Sequence, residues 1–132
     1  MKKFLLNLYF RLLWFFARIY LKRTKPLIIW ITWTIWKTSV RMILFQILQK
    51  YLPEKKISTS AKNFNWELGM VFSIFEIPQY SPNIFCFVKL LFEIGFKAFF
   101  WKKVYDIILL EYGIDHIWEM DFILSIAKPD VW

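Results

Sequence analysis

Residues 4–25, FLLNLYFRLLWFFARIYLKRTK, constrain this chain more than any other stretch. As a helix advancing about 100° per residue, the segment brings Asn7, Arg11, Arg18, Lys22 and Lys25 within roughly 60° of one another. Lys3 lies slightly to one side and Arg23 points elsewhere. Thr24 apart, the rest of the cylinder is Phe, Leu, Trp, Tyr, Ile and Ala. A surface helix of a globular protein usually has an apolar stripe a little over ~100° wide on an otherwise polar rod. Here the proportions are reversed. Such a helix, about 33 Å long, needs lipid or protein on most sides and something anionic or polar along one line.

The whole chain repeats that imbalance. Its 132 residues suffice for a single domain. They are 58% hydrophobic and include 15 Phe, 8 Trp and 6 Tyr, too many for the interior of a domain this small. An embedded or attached subunit is expected rather than an isolated monomer. The net charge of +8 is split. Residues 1–62 carry 13 Lys and Arg and one acid, Glu54, whereas residues 63–132 carry 5 Lys and 9 acids. The basic half is thus the one expected to meet an anionic surface. The start, MKKFLL, imitates a secretory leader, but Asn7 and Arg11 break the apolar run and no small-residue cleavage site follows. The expectation is a retained start, clasped by neighbouring subunits.

Read in order, the chain predicts an all-α fold of several long hydrophobic or amphipathic helices, embedded in or attached to a membrane, as one domain over 1–132. Residues 1–52 form a basic two-helix membrane half. The first helix covers 4–25, and Pro26 opens a second that runs over 27–52 without a breaker until Pro53. Neither is a clean span, because the longest uncharged runs, 26–36 and 77–88, fall short of ~18 residues. Residues 53–63, PEKKISTSAKN, are a polar connector to an acidic helical half over 64–132. Phe64, Trp66, Leu68, Met70, Phe72 and Ile74 share one parity, so 64–74 is either a single short strand paired with another chain's edge or an irregular or helical segment. Ser81-Pro82 starts a helix that runs to Tyr112, with Lys89, Glu93 and Lys97 spaced to pair along it. Asp115 caps a last helix ending near Lys128-Pro129.

Arg11, Arg18, Lys22 and Lys25 are the leading candidates for binding lipid phosphates or acidic groups of a partner. A solvated face of an amphipathic helix is the plainer alternative. Lys37 and Arg41, one turn apart, join the same lipid- or partner-binding set. Trp30, Trp33 and Trp36 suit membrane-interface anchors, or equally core packing. Glu111, Asp115, His116 and Glu119 are the one cluster of metal-capable groups. Their order reverses the Glu-x-x-His of di-iron bundles and lacks its second copy, so a solvated acidic face is the better reading and no metal is expected. Asp106 and Glu111, among apolar neighbours, are expected to pair with Lys102 or Lys103, or to face water. Cys86 and His116 are each alone in the chain, which excludes an internal disulfide, a cysteine metal cluster and a bis-histidine haem. Without a Gly-rich phosphate loop, a Walker signature or G-x-S-x-G, catalysis is not expected.

In stretches such as MKKFLLNLYFRLLWFF and FCFVKLLFEIGFKAFFW, the chain resembles in composition the small, aromatic-rich membrane subunits encoded by protist (ciliate-type) mitochondrial genomes. The resemblance implies a non-catalytic accessory subunit of an inner-membrane oxidative-phosphorylation complex, either a respiratory-chain complex or ATP synthase. It implies other subunits and an anionic phospholipid such as cardiolipin as partners, with no cofactor besides bound lipid. It carries no residue roles. The alternative is a mitochondrial ribosomal protein with its basic half on rRNA. That reading is weaker, since the bases lie on buried-looking helices rather than on a loop or sheet platform.

Overall fold

The computed structural model describes residues 2–32, 36–59, 67–77, 83–102, 105–111, 121 and 124–131. The described elements run α1 (Lys2–Thr24), β1 (Leu27–Ile31), α2 (Lys37–Tyr51), β2 (Ile57–Thr59), α3 (Glu67–Phe75), α4 (Ile84–Phe100) and β3 (Ile107–Glu111). The fold is therefore mixed α/β, not all-α. The three strands form one parallel sheet in the order β1-β3-β2.

The first helix forms as its periodicity predicts. It ends at Lys25, whose left-handed backbone (φ 47°) lets its N–H donate to the Leu21 carbonyl at 2.8 Å. Pro26 then opens no helix. The residues behind it, Leu27-Ile28-Ile29-Trp30-Ile31, are β-branched and aromatic, and they pair with Ile107–Glu111 in parallel register from Leu27↔Ile107 to Ile31↔Glu111. The expected second membrane helix over 27–52 is thus a strand followed by α2. The helix expected to reach Tyr112 stops at Phe100, and β3 replaces its end. The polar connector likewise holds β2, whose Ile57-Ser58-Thr59 pairs with Ile107–Leu109.

Of the two readings of 64–74, the strand is corrected and the helical one holds for the described part, where Glu67–Phe75 is helical. Met70, Val71, Phe72, Ile74 and Phe75 are all buried. With apolar neighbours on every side, a buried helix need not show a 3.6-residue pattern, and its alternation was incidental. The proposed last helix falls mostly outside the described residues, although 124–126 are helical.

Helices cover both faces of the sheet, as a parallel sheet requires. Ile28, Trp30, Ile108 and Leu110 point into the main core, with Leu13, Ala17 and Tyr20 of α1, Val71 and Phe75 of α3 and Ile94 and Ala98 of α4. The opposite face carries Ile31, Ile107 and Leu109, all buried, and Glu111, which meets Thr38 and Arg41 of α2. Residues 130–131 line the free edge of β1. The Asp130 and Val131 N–H groups donate to the Ile28 carbonyl, and the Trp30 N–H donates to the Val131 carbonyl. This satisfies an edge that would otherwise be open to another strand.

Candidate functional site

Two features carry functional information: an apolar face shared by α1 and α4, and a cationic cavity at the end of α1. The two helices run parallel, for residue numbers rise together along their contact. Tyr9 meets Phe87 (ring centroids 5.0 Å apart), Phe16 meets Phe99 (6.1 Å) and Tyr20 stacks on Trp101 (5.7 Å). The Arg23 guanidinium closes the far end on the carbonyls of Ala98 and Trp101.

α4 buries Leu90, Ile94 and Ala98, while its opposite stripe, Phe85, Val88, Phe92, Phe96 and Phe99, is exposed. Phe85 is 80% exposed and Phe92 74%. α1 adds Phe4, Leu5, Leu8, Leu12 and Phe15, also exposed. Phe16 touches both Phe15 and Phe99 and joins the two stripes into one surface. Lys89, Glu93 and Lys97 occupy the flank of α4, and Lys97 Nζ pairs with Glu93 Oε1 at 2.8 Å, as their spacing predicts. Among the described residues α1 is the one helix long and apolar enough to cross a membrane. Its span is Phe4–Thr24, with mean hydropathy 1.3 and 22% of that window buried.

The cavity has a volume of about 550 Å³. Its lining includes Arg18, Lys22 and Lys25 of the sequence-predicted seam, with Ser125, Lys128 and Asp130 from the end of the chain. Arg18 Nη2 donates to Ser125 Oγ at 2.6 Å. Asp130 Oδ2 accepts the Ile28 N–H at 2.8 Å, which ties the one carboxylate to the start of β1. Lys22 and Lys25 are exposed. Lys22 also lies in the last turn of α1, where a cation offsets the helix dipole. Arg11 is exposed two turns earlier and does not line the cavity.

The other predicted residues separate. Arg41 is not available to lipid. It is buried, and its Nε lies 3.5 Å from Glu111 Oε2, whose second oxygen accepts from the Thr38 hydroxyl at 3.1 Å. Glu111 therefore pairs across to α2, while Lys103, one of its two expected partners, lies outside the described residues. Asp106 accepts the Lys56 N–H at 3.0 Å and so tethers β2 to the start of β3. Trp30, 2% exposed, is core and cannot anchor at a membrane interface. Trp36, 73% exposed, precedes α2 in the left-handed region (φ 71°) and is free to serve as an anchor. Lys37 is half-buried in the first turn of α2. Trp33, Asp115, His116 and Glu119 lie outside the described residues. Among the described residues no three His, Cys, Asp or Glu side chains could hold a metal ion.

No protein-family model, curated protein or solved structure gives a significant match to this chain. Sequence reasoning missed Ser125, Lys128 and Asp130. They are a hundred or more positions from Arg18 and Lys25, and nothing local marks them. The outward stripe of α4 was legible, because FCFVKLLFEIGFKAFF places Phe at 85, 92, 96 and 99 on one helical face.

Proposed function

We propose that this chain is a non-catalytic accessory subunit of a membrane-bound complex, held against lipid and partner subunits by the α1/α4 face and binding anionic lipid through its cations. The compositional resemblance supports the mitochondrial inner membrane as its setting, among the oxidative-phosphorylation assemblies. The observation that carries the reading is the joined stripe of Phe85, Phe92, Phe96, Phe15 and Phe4, exposed on the side of the helix pair away from the core. Fully burying one such side chain is worth about 1.5–3 kcal/mol. Four of them sum to about 6 kcal/mol at the low end, comparable to the ~10⁴ M⁻¹ membrane affinity of one myristoyl chain.

The α/β fold refines how such a subunit would sit. An open parallel sheet leaves strand-edge N–H and C=O groups that hydrocarbon cannot satisfy. The sheet and α2 therefore belong outside the bilayer, with α1 and α4 lying on it or against a neighbouring membrane subunit. Washing membranes that hold the native assembly tests this. Retention through a neutral high-salt wash, which screens charge but not apolar contact, is expected, and release by that wash while the rest of the complex stays embedded would refute it. Mass spectrometry of the native particle tests the setting. Respiratory-chain or ATP-synthase subunits are expected to co-purify, whereas ribosomal proteins lost after ribonuclease would transfer the chain to the RNA reading.

A further inference from the structure

We propose that the cavity at the end of α1 is a binding site for a phosphate group carried on an apolar body, as in a phospholipid with a phosphomonoester head. Four cations, Arg18, Lys22, Lys25 and Lys128, line it against one carboxylate, Asp130. Among the described residues none of the four forms an ion pair, and Asp130 is engaged by the Ile28 amide. Four like charges around one hollow repel one another unless an anion shares the space. Arg18 adds directionality. One nitrogen holds Ser125, while its buried Nε has no hydrogen-bond partner among the described residues. A guanidinium fixed in this way presents further donors in a planar fork that matches phosphate oxygens.

The choice of phosphate follows from valence. A carboxylate offers two oxygens, whereas a phosphomonoester offers three and about two negative charges. The latter is the closer match in charge and in number of acceptor atoms to Arg18, Lys25 and Lys128. The remaining lining, such as Leu21, Leu27 and Ile126, is apolar. The hollow is open to solvent, and its roughly 550 Å³ is more room than a bare ion fills. The cavity lies beside the amino end of β1, not at the carboxyl ends where open parallel sheets usually bind ligands. This site therefore owes nothing to the sheet's usual crevice. The proposal deepens the membrane reading above and, in its lipid form, rests on it.

Calorimetric titration of the full chain with inorganic phosphate and, separately, with a water-soluble short-chain phosphatidic acid tests the site. Saturable binding of the short-chain lipid is expected. Arg18→Gln, Lys25→Gln and Lys128→Gln should each weaken it by about tenfold, the scale of one charged hydrogen bond. Lys50→Gln, an exposed cation on α2, should leave it unchanged. Because Lys25 and Lys128 are exposed, their variants keep the test decisive if the Arg18 variant fails to fold. Inorganic phosphate binding with the same variant dependence would support the site with free phosphate as its ligand. Binding of the lipid alone would support it with a headgroup as its ligand. Binding of neither, or equal weakening by Lys50→Gln, would overturn it. Flotation on vesicles of phosphatidylcholine alone separates the two readings. Flotation without binding of either titrant sinks the cavity and spares membrane attachment, and the reverse pattern does the opposite.

Discussion

The Arg41–Glu111 pair shows how single residues behave in this fold. Their side chains are 5% and 6% exposed. Removing one partner from a buried pair strands the other charge, which costs about 3–5 kcal/mol. Glu111→Ala should therefore lower the urea midpoint sharply. The double change Arg41→Met with Glu111→Leu should recover most of that loss, because two apolar groups of similar volume need no compensation. Equal loss in both variants would show that the pair contributes beyond neutralising itself. Tyr105 gives a pH prediction. Its hydroxyl donates to the Glu76 carboxylate, and burial first, then that contact and the negative charge, push its pKa from 10.0 up to about 12. A folded pKa above the unfolded value means that the stabilisation is complete below pH 10. It is lost as pH rises towards 12. Denaturation midpoints measured across that window should fall more steeply for the native chain than for Tyr105→Phe. Neither pairing was readable from sequence. Asp106 and Glu111 are expected from sequence to pair with Lys102 or Lys103, or to face water, whereas Glu111 meets Arg41, 70 positions away.

At the scale of elements, the segments that follow the 3.6-residue rule and those that evade it divide cleanly. α1 and α4 show their periodicity, and both form. β1 and β3 were hidden because both faces of a parallel strand are covered, leaving a plain apolar run such as IILLE in place of alternation. A short run of that kind is indistinguishable from part of a buried helix until its partner strand is known. The α1/α4 contact offers a prediction of its own. Gly95 lies inside α4, and a Cβ built there would meet the Phe16 ring at 3.5 Å, an ordinary van der Waals distance. Gly95→Ala should therefore stabilise the protein by about 0.5–1 kcal/mol through helix propensity. A raised thermal midpoint without loss of the Phe16 packing is the expected result. Ile94→Ala, one position away and fully buried, should instead cost about 2–5 kcal/mol.

Across the whole molecule, the core and the exposed apolar face belong to the same pair of helices. Phe92→Asp with Phe96→Asp should abolish flotation on phosphatidylcholine vesicles while changing the unfolding free energy by under about 0.5 kcal/mol for each substitution, since exposed sites contribute little to folding. Coupled loss of stability would mean that the stripe packs within the chain. The amino-acid order alone determined the inverted amphipathicity of residues 4–25, the cationic seam along it, the charge split between halves and the oily stripe of α4. The charge split is a plain count along the chain, and the others depend only on neighbours within a few turns. The parallel sheet, the burial of Trp30 and Arg41, and the cavity that joins Arg18 to Lys128 were decided by tertiary structure. They arise from contacts between residues 50 to more than 100 positions apart. Such contacts form only when closing the intervening loops is offset by burying both faces of a sheet at once, and no local window of sequence records that balance.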